Sequence, residues 1–252
     1  MAEQFFRNNR KKLAARMADN SAVILFAGKA PVKRGDEYYP FSPDRNFYYV
    51  TGIARENGVL MMVKTAGSLQ EVLFIPRDNG ILAKWVGANM TEAEAEEISG
   101  ICDIRPIDAF ADAFAQLLFR NPVTEIGLDL EHREWDDLLS PALQFASTLR
   151  SKYPAMTIRD MYPVFGDLRL IKEPYELKRM RQAMEVTRLG LEAMMAQVEP
   201  GMMEYEAEAY FDFTLMRHGV REKAFQTIAA AGKRGTILHY TQNNGKMEDG
   251  DL

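Results

Sequence analysis

From Ser21 to about residue 160 the sequence alternates short apolar runs with segments of helical period, and few folds satisfy that alternation. Ser21–Phe26, SAVILF, is an apolar run ending near Gly28, the pattern of a strand buried on both faces. Residues 47–50, FYYV, read as another strand with a Thr-Gly stop. Residues 58–64 and 71–76 are β-like runs flanking KTAGSLQ, which predicts a hairpin. Between and around them lie helical signals. Residues 4–18 repeat apolar positions (Phe5, Leu13, Met17) among basic ones, as in an amphipathic surface helix. Thr91 with Glu94 forms a capping box that opens a helix running to Ile98. Asp108 is placed to cap a helix with Phe110, Phe114, Leu117 and Leu118 on one face. Residues 126–130 predict one more buried strand and residues 134–149 one more helix, while 35–43 read as a polar, aromatic loop. Interleaved strands and helices of this kind bury their apolar faces as an α/β layer fold with one mixed sheet.

The pattern changes at residues 167–174, DLRLIKEP. Pro174 suits a first helical turn, and Leu177, Met180, Met184, Leu191, Met194 and Val198 mark one helical face up to Pro200-Gly201. Met203, Ala207, Tyr210, Phe211 and Leu215 mark a second helix closed by Gly219. Residues 225–232, FQTIAAAG, then alternate like a strand, and the final EDGDL reads as a turn entering a new one. The boundary falls near Leu170, giving domains at 1–170 and 171–252. The second is expected to be incomplete, because it finishes on a strand entry.

Among 252 residues, 31 basic and 36 acidic side chains are mixed along the chain, and no basic stripe suggests nucleic-acid binding. The N-terminus lacks the apolar stretch of a signal peptide, and nowhere are there the roughly 18 apolar residues of a membrane span. One cysteine, Cys102, excludes an intrachain disulfide and a thiolate zinc site, so the expectation is a cytoplasmic protein with Cys102 buried as a structural thiol. Phosphate-loop, GxSxG and HExxH motifs are absent. His132 lies in a charged segment and reads as solvated. His218 lies at a helix end, where a cation suits the helix dipole. His239 follows Ile237-Leu238 and precedes Tyr240 and the amide-rich TQNNG; by itself it reads as structural, and its neighbourhood changes that reading.

That neighbourhood, FQTIAAAGKRGTILHYTQNNGKMEDGDL, resembles the entry to the catalytic domain of the creatinase/aminopeptidase P/prolidase family. LIKEPYELKRMRQAMEVTRLGLEAMMAQVEPGMMEYEAEA is similar to that domain's first two helices. RNNRKKLAARMADNSAVILFAG and SPDRNFYYVTGI resemble the N-terminal domain of its aminopeptidase P members. The resemblance runs in order over nearly the whole chain. It implies an α/β N-terminal domain with a mixed sheet, of the creatinase N-terminal kind, plus the incomplete start of an α+β pita-bread catalytic domain.

The family binds two divalent ions, usually manganese, through two Asp, one His and two Glu, and a bridging hydroxide attacks the Xaa-Pro carbonyl. Hard oxygen ligands suit Mn²⁺, and two metals both activate water and stabilise the oxyanion. By motif position Asp249 and Asp251 are not ligands, so no metal ligand is expected here and no metal is expected to bind these residues alone. Of the family's active-site residues only the histidine of Leu-His-Tyr carries over, to His239, where it would hydrogen-bond the substrate or the tetrahedral intermediate. Phe225 falls where relatives carry an aromatic residue and would form an apolar wall for the substrate. The implied protein is a metal-dependent aminopeptidase acting on peptides with proline at the second position, homo-oligomeric when complete. The alternatives are an Xaa-Pro dipeptidase (prolidase) or creatinase, a metal-free pita-bread protein acting as an interaction module, or an N-terminal domain used for subunit assembly.

Overall fold

The computed structural model describes residues 2–136 and 138–252. The chain forms two compact units, one ending at Ile171 and the other comprising Lys172–Leu252. In the first, helix α1 (Ala2–Arg16) precedes strand β1 (Ser21–Phe26), and a small hairpin β2 (Val32–Arg34) and β3 (Glu37–Tyr38) follows within the stretch expected to be loop. Next come helix α2 (Arg45–Thr51), strands β4 (Val59–Thr65) and β5 (Ser68–Ile75), and helices α3 (Ala83–Val86) and α4 (Glu92–Ser99). Strand β6 (Ile104–Pro106), helix α5 (Phe110–Arg120), strand β7 (Glu125–Leu128), helix α6 (Pro141–Lys152), strand β8 (Thr157–Asp160) and helix α7 (Tyr162–Leu170) complete the unit. Six strands form one mixed sheet in the order β6-β5-β4-β1-β7-β8. β4 runs antiparallel to both of its neighbours, β1 and β5, whereas β1–β7, β7–β8 and β5–β6 run parallel.

Strand period 2 distributes β1 to both faces. Val23 and Leu25 join Leu13, Phe47, Val50, Ala95 and Phe165 in one buried cluster beneath α1, α2, α4 and α7. Ala22 and Ile24 join Phe114, Leu117, Ala146 and Leu149 in another beneath α5 and α6. The unit is therefore a helix–sheet–helix sandwich with a core on each side of the sheet. The β4–β5 hairpin turns at Ala66 and Gly67, both with positive φ (49° and 73°), which matches the right-handed strand twist.

Several sequence expectations are corrected. FYYV is helical: the Asp44 carboxylate accepts from the Asn46 and Phe47 N–H groups at 2.9 and 2.7 Å, and Gly52 closes the helix at φ 72°. The helix expected over 134–149 starts at Pro141, because Ser140 caps it. Asp108 does not cap α5; its carboxylate is held by Arg77 Nε at 2.8 Å. Cys102 is exposed, since the left-handed Gly100 turn sends Ile101 inward and leaves the thiol outside. In α1 the basic face is not all solvated. Arg10 is fully buried and donates to Val50 O and Ser99 O at 2.8 Å, carbonyls in the last turns of α2 and α4 that those helices cannot satisfy themselves.

The second unit contains helices α8 (Pro174–Met195) and α9 (Glu204–Arg217) and a single 3₁₀ segment, Gly232–Thr236. Residues 225–232, expected as a strand, carry no ladder, and neither does EDGDL, where residues 249–250 make only a turn. An alternating run becomes a strand only where another backbone pairs along it, and the hydrogen bond from Gly232 N–H to Leu252 O at 2.8 Å, which joins the two segments, does not extend into a ladder. No helix among the described residues is long and apolar enough to cross a membrane.

Candidate functional site

The residues following α9 double back on that helix, and side chains rather than strands hold them there. Glu204, Glu208 and Asp212 recur every four residues, so they stack along one face of α9. Glu204 is 1% exposed and accepts four hydrogen bonds. One carboxylate oxygen takes Ala231 N–H at 2.8 Å and Arg234 Nε at 2.7 Å; the other takes Tyr240 Oη at 2.8 Å and Gly245 N–H at 2.7 Å. Burial alone would raise this carboxyl, but the four donors favour its ionised form and hold it down at about 2. One turn on, Glu208 accepts from Asn243 Nδ2 at 2.8 Å, and Asn243 also donates to Thr227 O and accepts from Ala229 N–H. Asn243 takes φ 46°, a left-handed conformation that asparagine tolerates. The Lys223 ammonium bridges Glu208, Asp212 and Thr227.

A short main-chain exchange completes the arrangement. Residues 245–247 run beside 201–204, with Glu204 N–H donating to Gly245 O and Met247 N–H to Met202 O. A Cβ on Gly245 would fall on the Arg234 guanidinium, so only glycine lets the arginine lie flat against this backbone. Between α8, α9 and residues 220–230 lies a cavity of about 740 Å³ walled by Val186, Leu191, Met194, Phe211 and Ile228. A space of that size and polarity accepts an apolar group.

Phe225 lines this cavity and is 74% exposed. His239 lies in an exposed turn immediately before the buried Tyr240 and does not line the cavity, so the chain does not bring the two residues together on that surface. His132 and His218 are also exposed, His218 as the cap residue of α9. Asp249 and Asp251 are exposed, and Asp251 accepts from Glu248 N–H at 2.9 Å. Among the described residues no group of three or more His, Cys, Asp or Glu side chains could hold a metal ion, so these residues do not fit a dinuclear centre. Sequence reasoning missed Glu204. Its signal was the four-residue spacing of carboxylates along α9, on a face that otherwise reads as core.

Two protein families match the chain. Residues 6–126 match the family described as aminopeptidase P, N-terminal domain, and residues 178–252 match metallopeptidase family M24. The Xaa-Pro aminopeptidases of Haemophilus influenzae and Escherichia coli are each 30% identical over all of this chain and 56% and 58% of their own length, respectively. The chain thus spans a little over half the length of these relatives. Among solved structures, a candidate aminopeptidase P from Bacillus anthracis superposes with a TM-score of 0.97 at 41% identity, covering all of this chain and 60% of that one. The low-pH form of Escherichia coli aminopeptidase P gives 0.87 at 28% identity, over 57% of its length.

Proposed function

The chain belongs to the aminopeptidase P group of metallopeptidase family M24 over the length it spans, and on that premise we propose that the protein carrying it is a metal-dependent aminopeptidase releasing the N-terminal residue from Xaa-Pro peptides. One observation carries the reading: the aminopeptidase P N-terminal match and the M24 match follow one another in a single chain, in that order. We take the protein to be cytoplasmic and homo-oligomeric. Two divalent ions, manganese by resemblance, would supply the activated water. The described residues do not fit the role of holding them, and no step is assigned to a metal through this chain.

What this chain would contribute is a hydrogen-bond donor and a wall. His239, on a turn whose next residue is anchored to Glu204, offers an imidazole N–H to the oxygen that becomes negative as the peptide carbonyl is attacked. Such a donor matters most in the transition state, because charge develops there. Phe225 would exclude water on the apolar side of the substrate. Proline at the second position has a fixed φ and no N–H, so recognition of it rests on shape rather than on a backbone hydrogen bond.

The test uses the whole protein with Mn²⁺ and Ala-Pro-Leu, and follows release of alanine and Pro-Leu. His239→Ala should reduce kcat and kcat/KM together by roughly 10²–10³-fold with little change in Tm. A strongly destabilised but fully active His239→Ala would overturn the assignment of this residue. Hydrolysis of Ala-Pro but not of Ala-Pro-Leu would overturn the aminopeptidase reading in favour of a dipeptidase, and no hydrolysis of either in favour of an interaction module.

A further inference from the structure

We propose that Glu204 is the positioning residue for His239: its buried carboxylate, rather than a β-ladder, fixes where the loop of residues 231–246 lies. The inference rests on the assignment of His239 to the reacting centre. The four donors to Glu204 come from separate points of that loop. Ala231 marks its start, Arg234 its 3₁₀ segment, Tyr240 the residue after His239, and Gly245 its return toward α9. No strand pairing orders residues 232–244, so removal of this carboxylate takes a hydrogen bond from the loop at four points at once, leaving the Glu204 N–H to Gly245 O bond and the Asn243–Glu208 contact in place.

The two carboxylate oxygens divide the work. Oε1 holds the incoming limb through Ala231 and Arg234, while Oε2 holds the outgoing limb through Tyr240 and Gly245. Tyr240 is 7% exposed, and its hydroxyl also accepts from Asn244 N–H at 3.2 Å, so the phenol oxygen is held by one donated and one accepted hydrogen bond. His239 is joined to that ring by one peptide bond and is itself exposed. Its imidazole therefore takes its place from the Tyr240 anchor and not from burial of its own ring. A glutamine at 204 retains only one oxygen and presents an amide that cannot accept, so it can serve one limb of the loop but not both.

The experiment compares isotope-labelled wild type, Glu204→Gln and Tyr240→Phe in the 252-residue chain by NMR. With three histidines in the sequence, the His132 and His218 ring signals act as internal controls. In Glu204→Gln the amides of Ala231, Gly245 or both should exchange roughly ten- to a hundredfold faster, as expected for loss of hydrogen bonds to a charged group. The His239 ring signal should shift and broaden while amides inside α8 keep their protection. Tyr240→Phe removes one hydroxyl and no ring, and should move the His239 signal while leaving the Ala231 amide protected. A carboxylate that served stability alone would lower Tm without moving the His239 signal of the folded protein. An unchanged His239 signal in folded Glu204→Gln overturns the proposal. If that variant does not fold, an unchanged signal in Tyr240→Phe overturns it instead. None of these readouts involves turnover, so normal turnover by His239→Ala would remove the catalytic role and leave the positioning result standing.

Discussion

Asp129 and Asn46 meet in the first unit as a buried pair whose charge state depends on pH. Asp129 is 8% exposed, and its carboxyl is pushed up to about 6, by burial first and then by the neighbouring Asp44, against the lowering effect of the Asn46 amide that donates to it at 2.6 Å. Burial raises Asp44 too, although its carboxylate caps α2. Asn46 in turn accepts from Arg169 Nη1 at 2.7 Å, which links the end of β7 to α7. A folded-state value above the ordinary carboxyl value means that between about pH 4 and 6 the native state keeps a proton the unfolded chain has lost. Stability then falls as pH rises through that window and levels off above it, by about 2 kcal/mol for Asp129. Denaturant midpoints of the wild type should therefore drop between pH 4.5 and 7.5 by more than those of Asp129→Asn, which cannot ionise. Parallel profiles for the two proteins would show that Asp129 does not titrate in this range.

Two glycines in helices report opposite packing constraints. Gly190 lies inside α8 at its contact with α9, where a Cβ would sit 2.7 Å from Leu215 Cδ1 and 2.8 Å from the Phe211 ring. Gly166 lies inside α7 with nothing within 4 Å of the same position. Gly190→Val should destabilise the second unit by about 1–3 kcal/mol through overpacking. Gly166→Ala should stabilise the first by about 0.5–1 kcal/mol through helix propensity alone. Thermal melts of both variants check the pair, and a neutral Gly190→Val would mean that the helices separate freely at that point. Elements of this kind were legible in the sequence wherever local chemistry decided them. The Thr91–Glu94 box, the SAVILF run, the hairpin around Ala66-Gly67 and the two helices after Pro174 all depend on residues a few positions apart. FYYV did not, because a four-residue apolar run fits either period and the decision lay outside it, in Asp44 and Gly52. The short strands β6 and β8 likewise exist only because β5 and β7 offer them parallel partners. The site was least legible of all. His239 could be singled out by motif, but its anchor Glu204 is bound to residues 27 to 41 positions away, a relation no local pattern contains.

At the scale of the whole chain, the two units differ in what holds each of them together. The first has apolar clusters on both faces of its sheet, with Leu13, Ile24, Phe47, Leu60, Phe74 and Phe165 essentially inaccessible. Full burial of one such side chain contributes about 1.5–3 kcal/mol, so these clusters can offset the conformational entropy of their own unit. In the second unit the buried hydrophobic residues are Ala207, Leu215, Ala231 and Tyr240, whereas Met184, Phe213 and Leu238 are 69%, 63% and 85% exposed. Its order rests on the carboxylates of α9, and charged hydrogen bonds each contribute only about 1.5–3 kcal/mol net. Expressed separately, residues 2–171 should therefore show a cooperative thermal transition. Residues 172–252 should melt broadly, bind the dye ANS and aggregate, as contiguous exposed apolar surface does. Added salt should worsen the second piece further by screening its partly exposed ion pairs, such as Lys223 with Asp212, while promoting association of its apolar helix faces. A sharp, reversible transition in isolated 172–252 without ANS binding would show that the carboxylate ladder of α9 is enough to fold the unit without an apolar core of ordinary size.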